Sequence, residues 1–139
     1  MLSELGFATV VPIRNMNRAL KFYTKTLGGS LNMQAPGDSK NSWASVSLGR
    51  TEFWLVRPEK YEKRVLAYST FITKNIKKIV GGLKKKGVKF LRAEKMGPDS
   101  KIDGPISYSP IHGATAYFKD SEGNSLMLWE APPTYKSRL

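Results

Sequence analysis

The chain has 139 residues, 40% of them hydrophobic, 11% aromatic and 24% charged, proportions that suit one globular domain with a buriable core. It contains no cysteine, which excludes a disulfide scaffold, a zinc knuckle and a thiol nucleophile, and its single histidine, His112, disfavours a His-rich metal site or a Ser-His-Asp triad. Twenty-three Lys and Arg against eleven Asp and Glu leave a formal charge of +12, which raises the question of a nucleic-acid partner. No apolar run approaches the about 20 residues that span a bilayer, and the N-terminal MLSELGFATV lacks a basic n-region and a cleavage site, so a cytoplasmic location is expected.

The elements follow in chain order. Phe7–Ile13 is β-branched and reads as a strand, with Pro12 placing it near an edge or end. Asn15 offers an N-cap for a helix whose apolar stripe is Met16, Ala19, Leu20, Tyr23 and Leu27, stopped by Gly28-Gly29. Strand-like pieces follow at Ser30–Met33, at Trp43–Leu48, and, after a turn at Gly49-Arg50, at Thr51–Val56. A polar loop, Ala35–Asn41, separates the first two of these.

The second half restates that order. Leu66–Thr73 reads as a strand and Asn75 as a cap. Ile76, Ile79, Val80 and Leu83 form a helical stripe that ends at Gly87. Val88–Leu91 reads as a short strand, Lys95–Pro110 as a Pro- and Gly-rich loop, and Ala114–Lys119 as a strand. The turn Asp120–Asn124 then leads to the closing strand Ser125–Glu130. Asn15 and Asn75 lie 60 positions apart (75 − 15), and the first four stripe positions of the helices align at that offset. The pattern predicts an α+β fold of tandem βαβββ modules. Gly81-Gly82 interrupts the second helix at about 1 kcal/mol per glycine, explained either by close packing of the helix on the sheet or by a locally weak helix.

Two stretches resemble the vicinal oxygen chelate superfamily, which includes glyoxalase I, extradiol dioxygenases, fosfomycin-modifying enzymes and bleomycin-binding proteins. Asn15–Gly28 is similar to that family's first helix with its "FY…LG" ending. Phe118–Glu130 is similar to its "DPxGNxxEL" turn and closing strand, with Ser121 where a proline usually follows the aspartate. The resemblance runs from about Leu5 to Glu130. It implies a single domain over residues 1–131, with modules 5–57 and 66–131 curled into a glyoxalase/bleomycin-resistance-like pair of half-barrels. Residues 132–139 remain as a basic tail. The resemblance also implies a ligand cavity between the halves and a homodimer.

Family enzymes carry His or Glu metal ligands at the starts of the first and fifth strands and in the middle of the fourth and eighth. The matching positions here are Ala8, Tyr68, Trp54 and Met127, none an ordinary ligand for a divalent first-row metal. A shift of one residue would bring in Thr9, Ser69, Phe53, Leu126 or Leu128, which do not restore a site. Glu52 and Glu130 flank these positions without occupying them. The expectation is therefore no metal and no cofactor. Trp54, Tyr68, Met127 and Trp129 are the candidate ligand-binding residues, suited to stacking on a flat or partly apolar molecule. Val10 shares the face of Ala8, and Trp43 stands on the serine face of its strand. The plainer alternative is that these large side chains simply fill the cavity.

His112, Ser107, Tyr108 and Ser109 lie in or beside the loop that precedes a strand, and no base is assigned to activate the hydroxyls. Asp103 and Glu94 are loop carboxylates without an evident partner, and Arg14 and Arg18 are read as surface groups near the cleft mouth. Lys77, Lys78, Lys84, Lys85 and Lys86 line the polar face of the second helix. They form a solvated face that would draw an anion, with no recognition helix or aromatic pair to make it a nucleic-acid site. The function expected is metal-independent binding of a small aromatic or anionic molecule. The alternatives are a divergent metal-dependent lyase, isomerase or dioxygenase of the same superfamily and, less favoured, a basic nucleic-acid binder. No membrane partner is expected.

Overall fold

The structure is a computed structural model that describes residues 8–61 and 69–133. The chain divides into two compact units, one running to residue 64 and including Asp120–Asn124, the other taking residues 65–119 and 125–139.

The first unit carries β1 (Ala8–Pro12), α1 (Met16–Leu20), β2 (Ser30–Gln34), β3 (Trp43–Leu48) and β4 (Thr51–Val56). The sheet order is β1-β4-β3-β2, with β1 parallel to β4 and the other pairs antiparallel. Register divides the side chains cleanly. Val11 pairs with Leu55 and Leu55 with Ala44, all at most 3% exposed, and together with Phe53 and Val46 they make the core face. Met16, Ala19 and Tyr23 of the helical segment are buried with them.

Beyond Leu20 the helix differs from its sequence reading, because Lys21–Thr26 is π-helical. Leu27 N–H reaches back to the Phe22 carbonyl at 2.9 Å, and Thr24 Oγ1 donates to the Leu20 carbonyl at 2.6 Å. The wider turn keeps Tyr23 on the core side. Gly29 follows where no side chain fits: a Cβ there would lie 2.7 Å from the Tyr23 carbonyl oxygen and 2.9 Å from that of Ser47.

The second unit carries β5 (Ser69–Ile72), α2 (Ile76–Lys85), β6 (Lys101–Asp103), β7 (Ile106–Ser109), β8 (Gly113–Lys119) and β9 (Ser125–Glu130), in the sheet order β5-β9-β8-β7-β6. Its core joins Ile76 and Val80 to Ala116, Phe118, Leu126 and Leu128. The tandem α+β arrangement read from the sequence is thus present in both units. Two expectations need correction. Val88–Leu91 is not a strand; it makes a single bridge, Phe90 to Phe118, and a bond from Leu91 N–H to the Tyr117 carbonyl. The "loop" Lys95–Pro110 instead contains the hairpin β6–β7. Gly104 at φ 56° opens a two-residue turn between the paired residues Asp103 and Ile106. Proline and glycine in that stretch mark the hairpin turn and not an absence of strands.

Among the described residues no helix is long and apolar enough to cross a membrane.

Candidate functional site

Each sheet buries one face in the core of its unit, and alternation along the strands sets the other side chains on the opposite face. On the first sheet the register lays Val10, Trp54, Ser45 and Met33 in one row across all four strands, and Ala8, Glu52, Ser47 and Ser30 in the next. Val10, Trp54 and Met33 are 43%, 40% and 57% exposed. Trp43 stands edge-to-face with Trp54, ring centroids 5.9 Å apart and planes at 77°. Trp54 and Val10 lie on the side of the sheet away from Val11, Leu55 and Ala44, and Trp43 joins them.

The polar groups of this face form one chain. Asn32 stands at a bulge in β2. Its Nδ2 donates to Ser45 Oγ at 3.2 Å and Ser47 Oγ at 2.8 Å, and its Oδ1 accepts from Ser47 Oγ at 3.0 Å. Ser45 Oγ donates to Glu52 Oε1 at 2.5 Å, and the same oxygen accepts from Trp54 Nε1 at 2.8 Å. The Ser45 bond, then the Trp54 bond, hold the Glu52 carboxyl below its ordinary pKa against a weaker effect of burial. An ionised carboxylate therefore fixes the edge of an exposed indole. Sequence reading set Glu52 aside as lying off the ligand positions; its i, i+2 spacing to Trp54 on a strand was the signal for a shared face.

On the second sheet Thr70 pairs with Met127 and Ile72 with Trp129, while Tyr117 and Thr115 face the same two residues from β8. Met127 and Trp129 share this face, as alternation predicts. Trp129 is half-buried, and its Nε1 donates to the His112 carbonyl at 2.8 Å. His112 contributes its backbone, and its N–H donates to Ser109 Oγ, so the loop hydroxyl of Ser109 serves a turn. Ser107 is 2% exposed, and its Oγ has no hydrogen-bond partner. Tyr68, the fourth expected ligand contact, lies outside the described residues. Beside Tyr117 an open groove of about 510 Å³ is lined by Leu91, Arg92, Glu94, Lys95, Met96 and Tyr117. Thr115 Oγ1 reaches Met96 Sδ at 3.0 Å. Met127 and Trp129 do not line this groove, although Tyr117 is Met127's cross-strand partner.

The turn Asp120–Asn124 belongs to the first unit and organises the start of α1. Glu122, 1% exposed, accepts from Arg14 N–H at 2.7 Å, Asn15 N–H at 2.8 Å, Arg18 Nε at 2.7 Å and Arg18 Nη2 at 3.1 Å. Burial pushes the Glu122 pKa up, but the Arg18 hydrogen bond, the two backbone donors and the Arg18 charge outweigh it and hold the carboxyl at about 2. Asp120 accepts from its own turn at Glu122 N–H and Asn124 N–H and from Tyr23 Oη at 2.7 Å. Burial, then the Asp120 charge, pushes the Tyr23 phenol well above its ordinary pKa. Tyr61 Oη donates to the Glu122 carbonyl, and Arg14 stacks 4.9 Å over the Tyr61 ring. Arg18 is thus half exposed, as a surface reading expects, and is half of an ion pair. Asp103 also has a partner, a loose surface pair with Lys77 at 3.7 Å.

The positions that carry metal ligands in family enzymes hold Ala8 and Trp54 on the first sheet and Met127 on the second. Among the described residues no three His, Cys, Asp or Glu side chains converge on one point. Among the described residues, Ala8, Trp54 and Met127 offer no ordinary donor to a divalent first-row metal.

Two parallel-edged sheets, each fed by an Asn-capped helix, define a tandem fold of the vicinal-oxygen-chelate kind. The chain belongs to the Glyoxalase/Bleomycin resistance protein/Dioxygenase superfamily, whose family model matches residues 7–128. Similar solved structures include TnmS3, an antibiotic binding protein from Streptomyces sp. CB03234. It is 23% identical with a TM-score of 0.65, the match covering 91% of this chain and 97% of that one. A glyoxalase family protein from Enterococcus faecalis is 18% identical with a TM-score of 0.67, covering 94% and 100%. The fosfomycin resistance protein FosX from Listeria monocytogenes, complexed with manganese and a dihydroxypropylphosphonic acid, is 13% identical with a TM-score of 0.66, covering 93% and 90%. At these identities the likeness establishes the fold. No curated protein matches the sequence.

Proposed function

We propose that this protein binds a small aromatic or anionic molecule without the help of a metal, through Trp54 on the first sheet and Tyr68, Met127 and Trp129 of the second half. The observation that carries the reading is Trp54, a large indole left 40% exposed on the sheet face away from the core and held in place by Glu52 and Trp43. A ring so fixed offers a flat surface at little further cost in side-chain entropy. The anionic alternative draws on Arg92 and Lys95 in the groove beside Tyr117 and on the net charge of +12. A homodimer and a cytoplasmic location complete the proposal.

The test is elemental analysis of purified protein after exposure to divalent metals and desalting, followed by a thermal-shift screen of small molecules with and without chelator. The reading expects near-zero retained metal and a rise in melting temperature that chelator does not change. About one tightly held ion per chain would replace it with the lyase, isomerase or dioxygenase alternative. Binding of DNA or RNA with a steep inverse salt dependence, and no small-molecule response, would replace it with nucleic-acid binding.

A further inference from the structure

We propose that Glu52, bonded to the Trp54 indole, is the receptor for a protonated amine or similar N–H-bearing cationic group on an aromatic ligand. The inference rests on the reading that the Trp54 face binds a small molecule, and it adds the chemistry by which that face would choose.

The first argument is an accounting of hydrogen bonds. Both donors that reach Glu52, Ser45 Oγ and Trp54 Nε1, go to Oε1. Oε2 accepts from no described residue. The ion pairs among the described residues are Arg18 with Glu122 and Lys77 with Asp103, so Glu52 has no cation partner among the described residues, in a chain with about twice as many basic as acidic side chains. The second argument is the charge of the face. The residues that register places there, from Ala8, Val10 and Pro12 on β1 to Ser45 and Ser47 on β3, include no Lys or Arg. Glu52 is the charge these strands present on that side, and it opposes the charge of the protein as a whole.

The third argument is shape and polarity. Ala8, the parallel neighbour of Glu52, sets only a methyl group beside the carboxylate. The hydroxyl chain from Asn32 through Ser45 points its last proton at Glu52, which keeps the carboxylate as acceptor. One indole, Trp54, lies next to it, with Trp43 against the far side of Trp54, and indole faces attract cations as carboxylates do. A ligand with an ammonium group one bond from a flat ring could bond Oε2 and lay its ring on Trp54.

The experiment uses the full chain at neutral pH and three probes of matched size: naphthylmethylamine (protonated), naphthylmethanol and naphthoate. Binding is followed through the indole N–H resonances of the three tryptophans, with Trp54 assigned by loss of its signal in Trp54→Phe. The amine is expected to bind about tenfold tighter than the alcohol, the size of one charge-assisted hydrogen bond, and naphthoate weakest of the three. Long-range repulsion by the basic protein acts against the amine, so such a preference would be local. Glu52→Gln keeps an acceptor for Ser45 and should erase the amine's advantage while leaving the alcohol within about twofold. Equal binding of amine and alcohol, or an advantage that survives Glu52→Gln, overturns the proposal and leaves the aromatic face standing. Failure of every probe to move the Trp54 resonance overturns the reading of the face itself, and the proposal with it.

Discussion

The helices α1 and α2 begin alike and are held differently. Each follows an edge strand, and each starts at an asparagine whose Oδ1 accepts from the backbone three residues on: Asn15 from Arg18 N–H at 3.0 Å, Asn75 from Lys78 N–H at 3.2 Å. A carboxylate from another part of the same unit then completes each start. Glu130 accepts one bond, from Ile76 N–H at 2.9 Å, and is half-buried. Glu122 accepts four and is almost wholly buried. The cap recurs at the 60-residue offset, but the carboxylate that completes it comes from a turn, Asp120–Asn124, at α1 and from the end of a strand at α2.

The sharpest way to break this comparison is to remove both carboxylates in turn. Glu122→Ala strands two backbone donors and a guanidinium, and is expected to cost about 3–4 kcal/mol. Glu130→Ala strands one donor near solvent, with an expected cost of about 1 kcal/mol. Urea denaturation of the two variants measures the gap, and equal costs would show that burial of Glu122 adds nothing to its bonds. Arg18→Ala should fall between them at about 2 kcal/mol, because Arg18 is half exposed and the backbone donors to Glu122 remain.

Acid separates the two starts in a second way. Glu122 has a folded pKa depressed to about 2 from an ordinary 4.5. Its contribution is therefore complete above about pH 4.5 and is lost as pH falls from there through about 2, at most about 3 kcal/mol in all. A Glu122→Gln variant is expected to be less stable at neutral pH and to lose less on acidification. Parallel acid limbs for the two proteins would mean that Glu122 does not drive the loss.

The open faces of the two sheets differ as their helix starts do. Trp54 is exposed and bonded to a neighbour on its own strand, whereas Trp129 is half-buried and ties the strand to the His112 turn. Trp54→Ala should weaken ligand binding while costing at most about 1 kcal/mol of stability. Trp129→Ala should cost about 2 kcal/mol, less than a fully buried tryptophan, whatever it does to binding. A large stability loss at Trp54 would recast it as packing.

These contrasts also mark how far the sequence could be read. Stripe spacing and the 60-residue offset were enough for β1 to β5, β8 and β9, both caps and the tandem order, since alternation and helical period are local properties. The π-helical turn was not legible, because Met16, Ala19 and Tyr23 suit either helix and the wider turn leaves no composition mark. The β6–β7 hairpin was hidden because Gly104-Pro105 signals a turn and a loop alike. Glu122 was out of reach in a different sense. Its partners Arg14, Asn15 and Arg18 lie more than 100 positions away, so nothing near it in the chain announces a buried ion pair. For the site, alternation correctly put Met127 and Trp129 on one face of their strand, but the pairing of Glu52 with Trp54 emerged only from side-chain geometry.

The smallest expected effect concerns the two helices themselves. Gly81-Gly82 offered two explanations, and close packing on the sheet is excluded: a Cβ built on either glycine meets nothing within 4 Å. Neither residue needs a positive φ. What remains is the propensity cost of glycine in the middle of a helix. Gly81→Ala and Gly82→Ala are each expected to stabilise the protein by up to about 1 kcal/mol, or about 4 °C in Tm. Gly29 in the first unit supplies the opposite case. Its Cβ would meet the Tyr23 and Ser47 carbonyl oxygens inside 3 Å, so Gly29→Ala should destabilise. Thermal melts of the three variants therefore test whether space, and not glycine itself, sets the sign. A loss of stability at Gly81 or Gly82 would mean that α2 uses its bare face for a contact outside the chain.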